Sequence, residues 1–149
     1  MKDLIAAIVA DLETNLPYLQ QVKPVNSLLN PPSEKGFPCA GVKDGDQEFR
    51  SQPGKLDIET LSVTVAVYQQ LFVDDSAAAV MGSAPEQGDS FKGLIDIAAE
   101  IRARLNDNLF LTTHWAHVDK IAGSETLGDE DQPLMQMKVL TVTYRRFSQ

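Results

Sequence analysis

Apolar residues recur at helical spacing near the N-terminus: Leu4, Ile5, Ile8, Val9, Leu12 and Leu16, with Ala, polar or charged residues between them. This pattern predicts an amphipathic helix from about Asp3 to Asn15, with Asp3 favouring the positive end of the helix dipole and Pro17 stopping the helix. A second helical stripe runs through Phe91, Leu94, Ile95, Ala98, Ile101 and Leu105. Asp89 or Ser90 is expected to cap it, Arg102 and Arg104 to complement its C-terminal end, and Asn106 or Asn108 to supply a left-handed terminal residue. Gly93 early in this helix suggests close packing against a neighbour.

Elsewhere the period switches to two. In "LSVTVAVY", Leu61, Val63, Val65 and Val67 share one face, and Thr60, Ser62, Thr64, Ala66 and Tyr68 the other. Strict alternation predicts a long strand with one buried face and a second face that is solvated or meets a partner. "FPCAGVKDGDQEFRS" reads as a hairpin, with Phe37 to Val42 out, Asp44-Gly45 as the turn and Gln47 to Ser51 back. "YLQQVKPVN" is compatible with a short strand that Pro24 confines to a sheet edge. "HWAHVDKIAG" and "PLMQMKVLTVTYRRF" read as two strands of a wide hairpin. In the last of these, Met135, Met137, Val139, Thr141 and Thr143 share a face, opposite Gln136, Lys138, Leu140, Val142 and Tyr144. Its second half lacks a purely polar face, as expected of a strand deep in a sheet or at a subunit seam.

Helix, strands, helix, strands in that order predict an α+β fold. The expected architecture is a mostly antiparallel sheet of four to six strands with two main helices packed on one face. Residues 1–149 are read as one domain, with mobile loops at about 30–36, 73–90 and 123–133. A short helical turn through Ala77 to Met81 interrupts the longest of these.

Composition narrows the function classes. The chain has 149 residues, 43% hydrophobic and 23% charged, and a net charge of −8. That excess of carboxylates disfavours nucleic-acid binding, which depends on Lys and Arg neutralising phosphates. No apolar stretch is long enough to span a bilayer. The N-terminal apolar patch carries Asp3, Asp11 and Glu13 and lacks a cleavage site, so it is read as a mature start and not a signal peptide.

Candidate chemistry is sparse. The single cysteine, Cys39, lies in an apolar strand without a basic neighbour and is expected to be a buried structural thiol. His114 and His117 would share a metal only on a helix; on a strand they point to opposite faces. Asp44, Asp46 and Glu48 around Gly45 lack the twelve-residue pattern of a calcium loop. Trp115 and Tyr144 sit on strands and are expected in core or interface. No phosphate-binding glycine loop and no nucleophile elbow is present. No catalytic residue, cofactor or metal is therefore expected, and the protein is not expected to be an enzyme.

The stretches "LIAAIVADLETNLP", "FPCAGVKDGDQEF", "LSVTVAVYQQ", "KGLIDIAAEIRARLND" and "VDKIAG" followed by "MQMKVLTVTYRRF" cover nearly the whole chain. In this order they resemble the tail terminator (tail-completion, head-tail joining) proteins of long-tailed bacteriophages and prophages. The family is recognised by element order, so it transfers no site residue. The resemblance implies a structural virion protein made in the host cytoplasm. Its copies would form a ring, commonly a hexamer, that caps the tail tube and presents a surface to the head-completion or connector protein. Alternatives are another head-tail joining or minor tail protein, or a small ligand-binding or regulatory α+β domain. The candidate contacts with a neighbouring copy or the tail tube are Tyr144, Arg145 and Arg146, together with the acidic run Asp129, Glu130 and Asp131. The two arginines are expected to meet acidic loops, their own or a neighbour's; solvated arginines near a frayed terminus are the alternative.

Overall fold

The computed structural model describes residues 1–51, 57–71, 78–82, 92–110, 113–128 and 135–148. Among these residues, three helices, α1 (Lys2–Asn15), α2 (Ala78–Met81) and α3 (Leu94–Leu105), combine with seven strands. The strands are β1 (Gln21–Pro24), β2 (Cys39–Arg50), β3 (Asp57–Gln70), β4 (Leu109–Phe110), β5 (His114–Ile121), β6 (Glu125–Leu127) and β7 (Met135–Ser148). They form one mixed sheet whose six-strand path is β1-β2-β3-β7-β5-β4, with β6 paired to the start of β7. The fold is therefore α+β. The β1–β2 pair is parallel, and the pairs β2–β3, β3–β7, β5–β7, β4–β5 and β6–β7 are antiparallel.

One large buried cluster positions everything else. Leu4, Ile8 and Leu12 of α1 and Leu94, Ile97, Ile101 and Leu105 of α3 meet Leu61, Val63, Val65 and Val67 of β3. Leu140, Val142 and Tyr144 of β7, Ala116 and Val118 of β5, and Ala40 and Val42 of β2 are among the others in it. The register explains the alignment: Leu61 lies opposite Tyr144, Val63 opposite Val142 and Val65 opposite Leu140, so the apolar phases of β3 and β7 coincide. Each side chain of this kind contributes about 1.5–3 kcal/mol by leaving water. The closing strand lies between β3 and β5, deep in the sheet, which its lack of a polar face had indicated.

The opposite sheet face is covered at one end only. There Cys39, Ala66, Tyr68 and Met137 pack with Leu28 and Phe37 of the 25–38 loop, and the Tyr68 hydroxyl donates to the Leu28 carbonyl at 2.5 Å. Burial pushes the Cys39 thiol up to about 12, so it stays protonated and inert.

Polar latches hold the helices in place. Arg104 of α3 grips the Asp11 carboxylate of α1 through Nε at 2.9 Å and Nη2 at 2.8 Å. Lys92 Nζ donates to Glu100 Oε1 at 2.7 Å and sits 4.4 Å from the centre of the Tyr18 ring, whose hydroxyl also donates to Glu100. Burial alone would push the Glu100 carboxyl up; the Lys92 and Tyr18 hydrogen bonds and the Lys92 charge outweigh it, and its pKa is lowered.

Several expectations are corrected. Asp44-Gly45 makes no hairpin turn: β2 runs straight through as a partner of β3, and the register passes from Asp44–Val63 to Gln47–Leu61 across one extra residue. That is a β-bulge, the other structure that glycine permits in a strand. Within α3, Ile97 is buried and Ile95 is exposed, because the contact face follows 94, 97, 98, 101 and 105. Gly93 is the N-cap of α3 and has no side-chain cap hydrogen bond; Asp89, Ser90 and Phe91 lie outside the described residues. The left-handed residue after α3 is Asp107, with φ of 58°, instead of an asparagine. The 123–133 connection contains β6, and the expected helical turn near Met81 is α2. Most of 73–90 lies outside the described residues.

Candidate interaction surface

Alternation along β7 separates the two arginines that follow Tyr144. Tyr144 points into the main cluster, wholly buried, its ring edge-on to Phe110 with centroids 5.7 Å apart. It offers no surface to another molecule. Arg146 follows the same phase, and its guanidinium pairs with Glu59 of β3 directly across the ladder. Glu59 is buried and also accepts a hydrogen bond from Gln47 Nε2 at 3.1 Å. The Arg146 partner is therefore a strand residue of its own chain. Asp129, Glu130 and Asp131 lie outside the described residues.

His114 stands in the same corner. It is buried, with Nδ1 3.0 Å from the Thr113 hydroxyl. Burial first, and the positive charge of Arg146 second, push its pKa down. His117 points to the other face of β5 and is exposed, so the histidines do not converge. No group of three or more His, Cys, Asp or Glu suited to a metal occurs among the described residues.

Arg145 occupies the other phase and emerges on the uncovered half of the second sheet face. A row runs straight across four strands there: Glu48 of β2, Thr60 of β3, Arg145 of β7 and Trp115 of β5. Trp115 is 55% exposed. A concavity of about 570 Å³ lies beside it, lined by Asp107, Trp115, His117, Asp119, Thr143 and Arg145. A smaller one, of about 310 Å³, lies on the Glu48 side of Arg145. The groove carboxylates are engaged: Asp119 accepts from the Thr143 hydroxyl and faces His117 Nε2 at 3.9 Å, and Asp107 accepts from the Asn106 amide at 3.2 Å. Arg145 has no hydrogen-bond or ion-pair partner among the described residues.

At the opposite side of the sheet, β1 covers β2 only from Cys39 to Val42. From Lys43 to Arg50 the outer edge of β2 has no strand beside it among the described residues, and Phe49 there is 70% exposed. Such an edge presents unpaired backbone groups to an incoming chain.

Of the residues expected to contact a neighbouring copy or the tail tube, Arg145 alone among the described ones lies on this surface. Trp115, expected in core or interface, stands exposed beside it, and the β2 edge was not assigned to a site. Trp115 had a legible signal, being out of phase with Ala116 and Val118. So did Glu59, an acid in phase with Leu61 and Val63. Neither protein-family models nor curated proteins show a match to this chain.

Proposed function

We propose that the protein is a phage tail terminator, a structural virion subunit whose copies close into a ring on the tail tube and meet the head connector. The observation that carries this reading is the pair of unlike surfaces at the two sides of the sheet. One is a strand edge with no strand beside it among the described residues, and the other an exposed Trp–Arg face. A closed head-to-tail ring needs two different, complementary patches on each copy, and a symmetric dimer needs only one. In this reading the sheet is a mostly antiparallel platform with α1 and α3 on one face, the ring is a hexamer, and no chemistry is performed. The order of elements along the chain supports the same family. A net charge of −8 suits a bore through which DNA passes without sticking. No helix among the described residues is long and apolar enough to cross a membrane.

The test is light scattering after size exclusion across a concentration range, followed by electron microscopy with tail tubes. Rings that cap tube ends are expected. A strict monomer that leaves tube ends bare refutes the proposal. The groove of about 570 Å³ beside Trp115 favours a second reading, a small-ligand-binding domain. Under that reading a small molecule changes Trp115 fluorescence in a protein that never assembles.

A further inference from the structure

We infer that two copies of this chain pair through the free edge of β2, antiparallel and in one register, with Phe49 on the two-fold axis. The inference goes beyond the ring reading and does not rest on it. Backbone phase selects the residues. The Val42 carbonyl accepts from the Val25 amide at 3.0 Å, so it faces away from β3. Val42 lies opposite Val65, and Gln47 and Phe49 lie opposite Leu61 and Glu59, in the same phase of β3. Gln47 and Phe49 therefore turn their amide and carbonyl groups outward as well, where no strand meets them among the described residues. β1 ends its pairing at Val42, and the bulge breaks the ladder between Asp44 and Gln47, which leaves Gln47 to Ser51 as the regular part of the edge. Side chains then fix the register. With Phe49 opposite its own copy, Glu48 of each chain lies opposite Arg50 of the other. Both charges stand on one sheet face, since their β3 partners Thr60 and Ile58 share a phase. Facing residues of that kind have Cα atoms about 4.5 Å apart, within reach of an ion pair. Moving the axis by one residue either way sets Glu48 against Glu48 or Arg50 against Arg50, and like charges directly opposite destabilise a sheet. The segment "QEFRS" holds one acid and one base, so it meets its own copy without net charge. Phe49, 70% exposed, supplies the apolar contact, the two rings meeting on the other face of the joined sheet. So short an interface is weak and concentration-dependent. It occupies the edge that the ring reading offers to a neighbour, so the dimer opens before a ring closes.

Charge reversal and cross-linking test the register. Glu48 and Arg50 are exposed, so Glu48→Arg and Arg50→Glu are expected to fold with native circular dichroism and melting. Light scattering of the free protein across a concentration range is expected to show wild type passing from monomer to dimer. Each single variant turns both ion pairs into like-charge pairs and is expected to raise the dimer dissociation constant at least about tenfold. The double variant, and an equimolar mixture of the two single variants, are expected to recover dimers, because opposite charges then face each other again. In Phe49→Cys the two new thiols face each other about 5.5 Å apart at Cα, within disulfide range. That variant is expected to cross-link with oxidised glutathione, whereas Gln47→Cys, about 13 Å from its own copy in this register, is not. The native Cys39 is buried and does not interfere. Wild type that stays monomeric at every concentration overturns the pairing, as do dimers that persist in both single variants. Single variants that dissociate without recovery in the double variant or the mixture overturn the register, as does Gln47→Cys cross-linking as readily as Phe49→Cys. Capping of tail tubes is read separately. A protein that caps tubes and never dimerises overturns this pairing alone, and one that dimerises and leaves tubes bare overturns the ring reading alone.

Discussion

Replacing Gly93 with alanine sets three effects against one another, and the structure decides the sign. Alanine restricts the unfolded chain and on that ground alone stabilises by about 0.4–1 kcal/mol. The backbone does not object, since φ of −82° and ψ of 163° are open to any residue. Alanine is a poorer N-cap than glycine, a small effect in the other direction. Sterics outweigh both. A Cβ at this position would lie 2.3 Å from the Gly82 nitrogen, 2.4 Å from the Val80 carbonyl oxygen and 2.6 Å from the Met81 carbonyl carbon. Reaching an ordinary contact distance requires a separation of roughly 1 Å. All three atoms are backbone, so no rotamer change relieves the clash. Overpacking of this kind costs about 1–3 kcal/mol, and α2 must shift away from the start of α3. The expected net loss is about 1–2 kcal/mol, a fall in Tm of about 2–8 °C for a domain of this size. Gly123→Ala is the control, because nothing lies within 4 Å of its added Cβ; its Tm is expected to stay level or rise slightly. Thermal melts of both variants beside wild type decide the matter. A Gly93→Ala protein that melts with Gly123→Ala, at or above wild type, refutes the close approach of α2 to α3.

The two adjacent arginines are expected to behave oppositely in denaturant titrations. Arg146→Met strips the buried Glu59 of its cation and costs about 1–3 kcal/mol, whereas Arg145→Met stays within about 0.5 kcal/mol of wild type; equal losses would contradict their placement on opposite faces. His114 links stability to pH. Its folded pKa lies below the ordinary 6.5, so the folded state binds fewer protons than the unfolded chain. The associated stability is present above about pH 6.5 and is lost as pH falls through the folded value. His114→Gln is expected to flatten that part of the stability–pH curve, and an unchanged slope would exclude His114 as its source. Cys39 is expected to resist a thiol reagent in native protein and to react promptly in denaturant, because its thiol is buried and raised to about 12; rapid native labelling would place it elsewhere.

Local pattern was enough to reveal the elements whose apolar face is continuous. Leu4, Ile8 and Leu12 mark α1, and Leu61 to Val67 mark β3, because a period of 3.6 or 2 needs no knowledge of the partner. The α+β class follows from their order. Asp44-Gly45 misled because the same dipeptide serves a turn or a bulge, and only the continuous pairing of β2 with β3 selects between them. Ile95 and Ile97 differ by a rotation about the α3 axis that only packing against the sheet decides.

The candidate surface was legible only in part. The sequence by itself determined that Arg145 and Arg146 must face opposite ways, that the closing strand has no purely polar side past Lys138, and that the chain is strongly acidic. Only the tertiary structure decided which arginine pairs with a buried carboxylate. Register brings Glu59 opposite Arg146, and Thr60 opposite Arg145. Likewise, β1 is too short to cover β2, and the 25–38 loop shields one end of the second sheet face and leaves the other open. Those outcomes depend on contacts between residues far apart in the chain, where sequence periodicity specifies a face but not the neighbour that covers it.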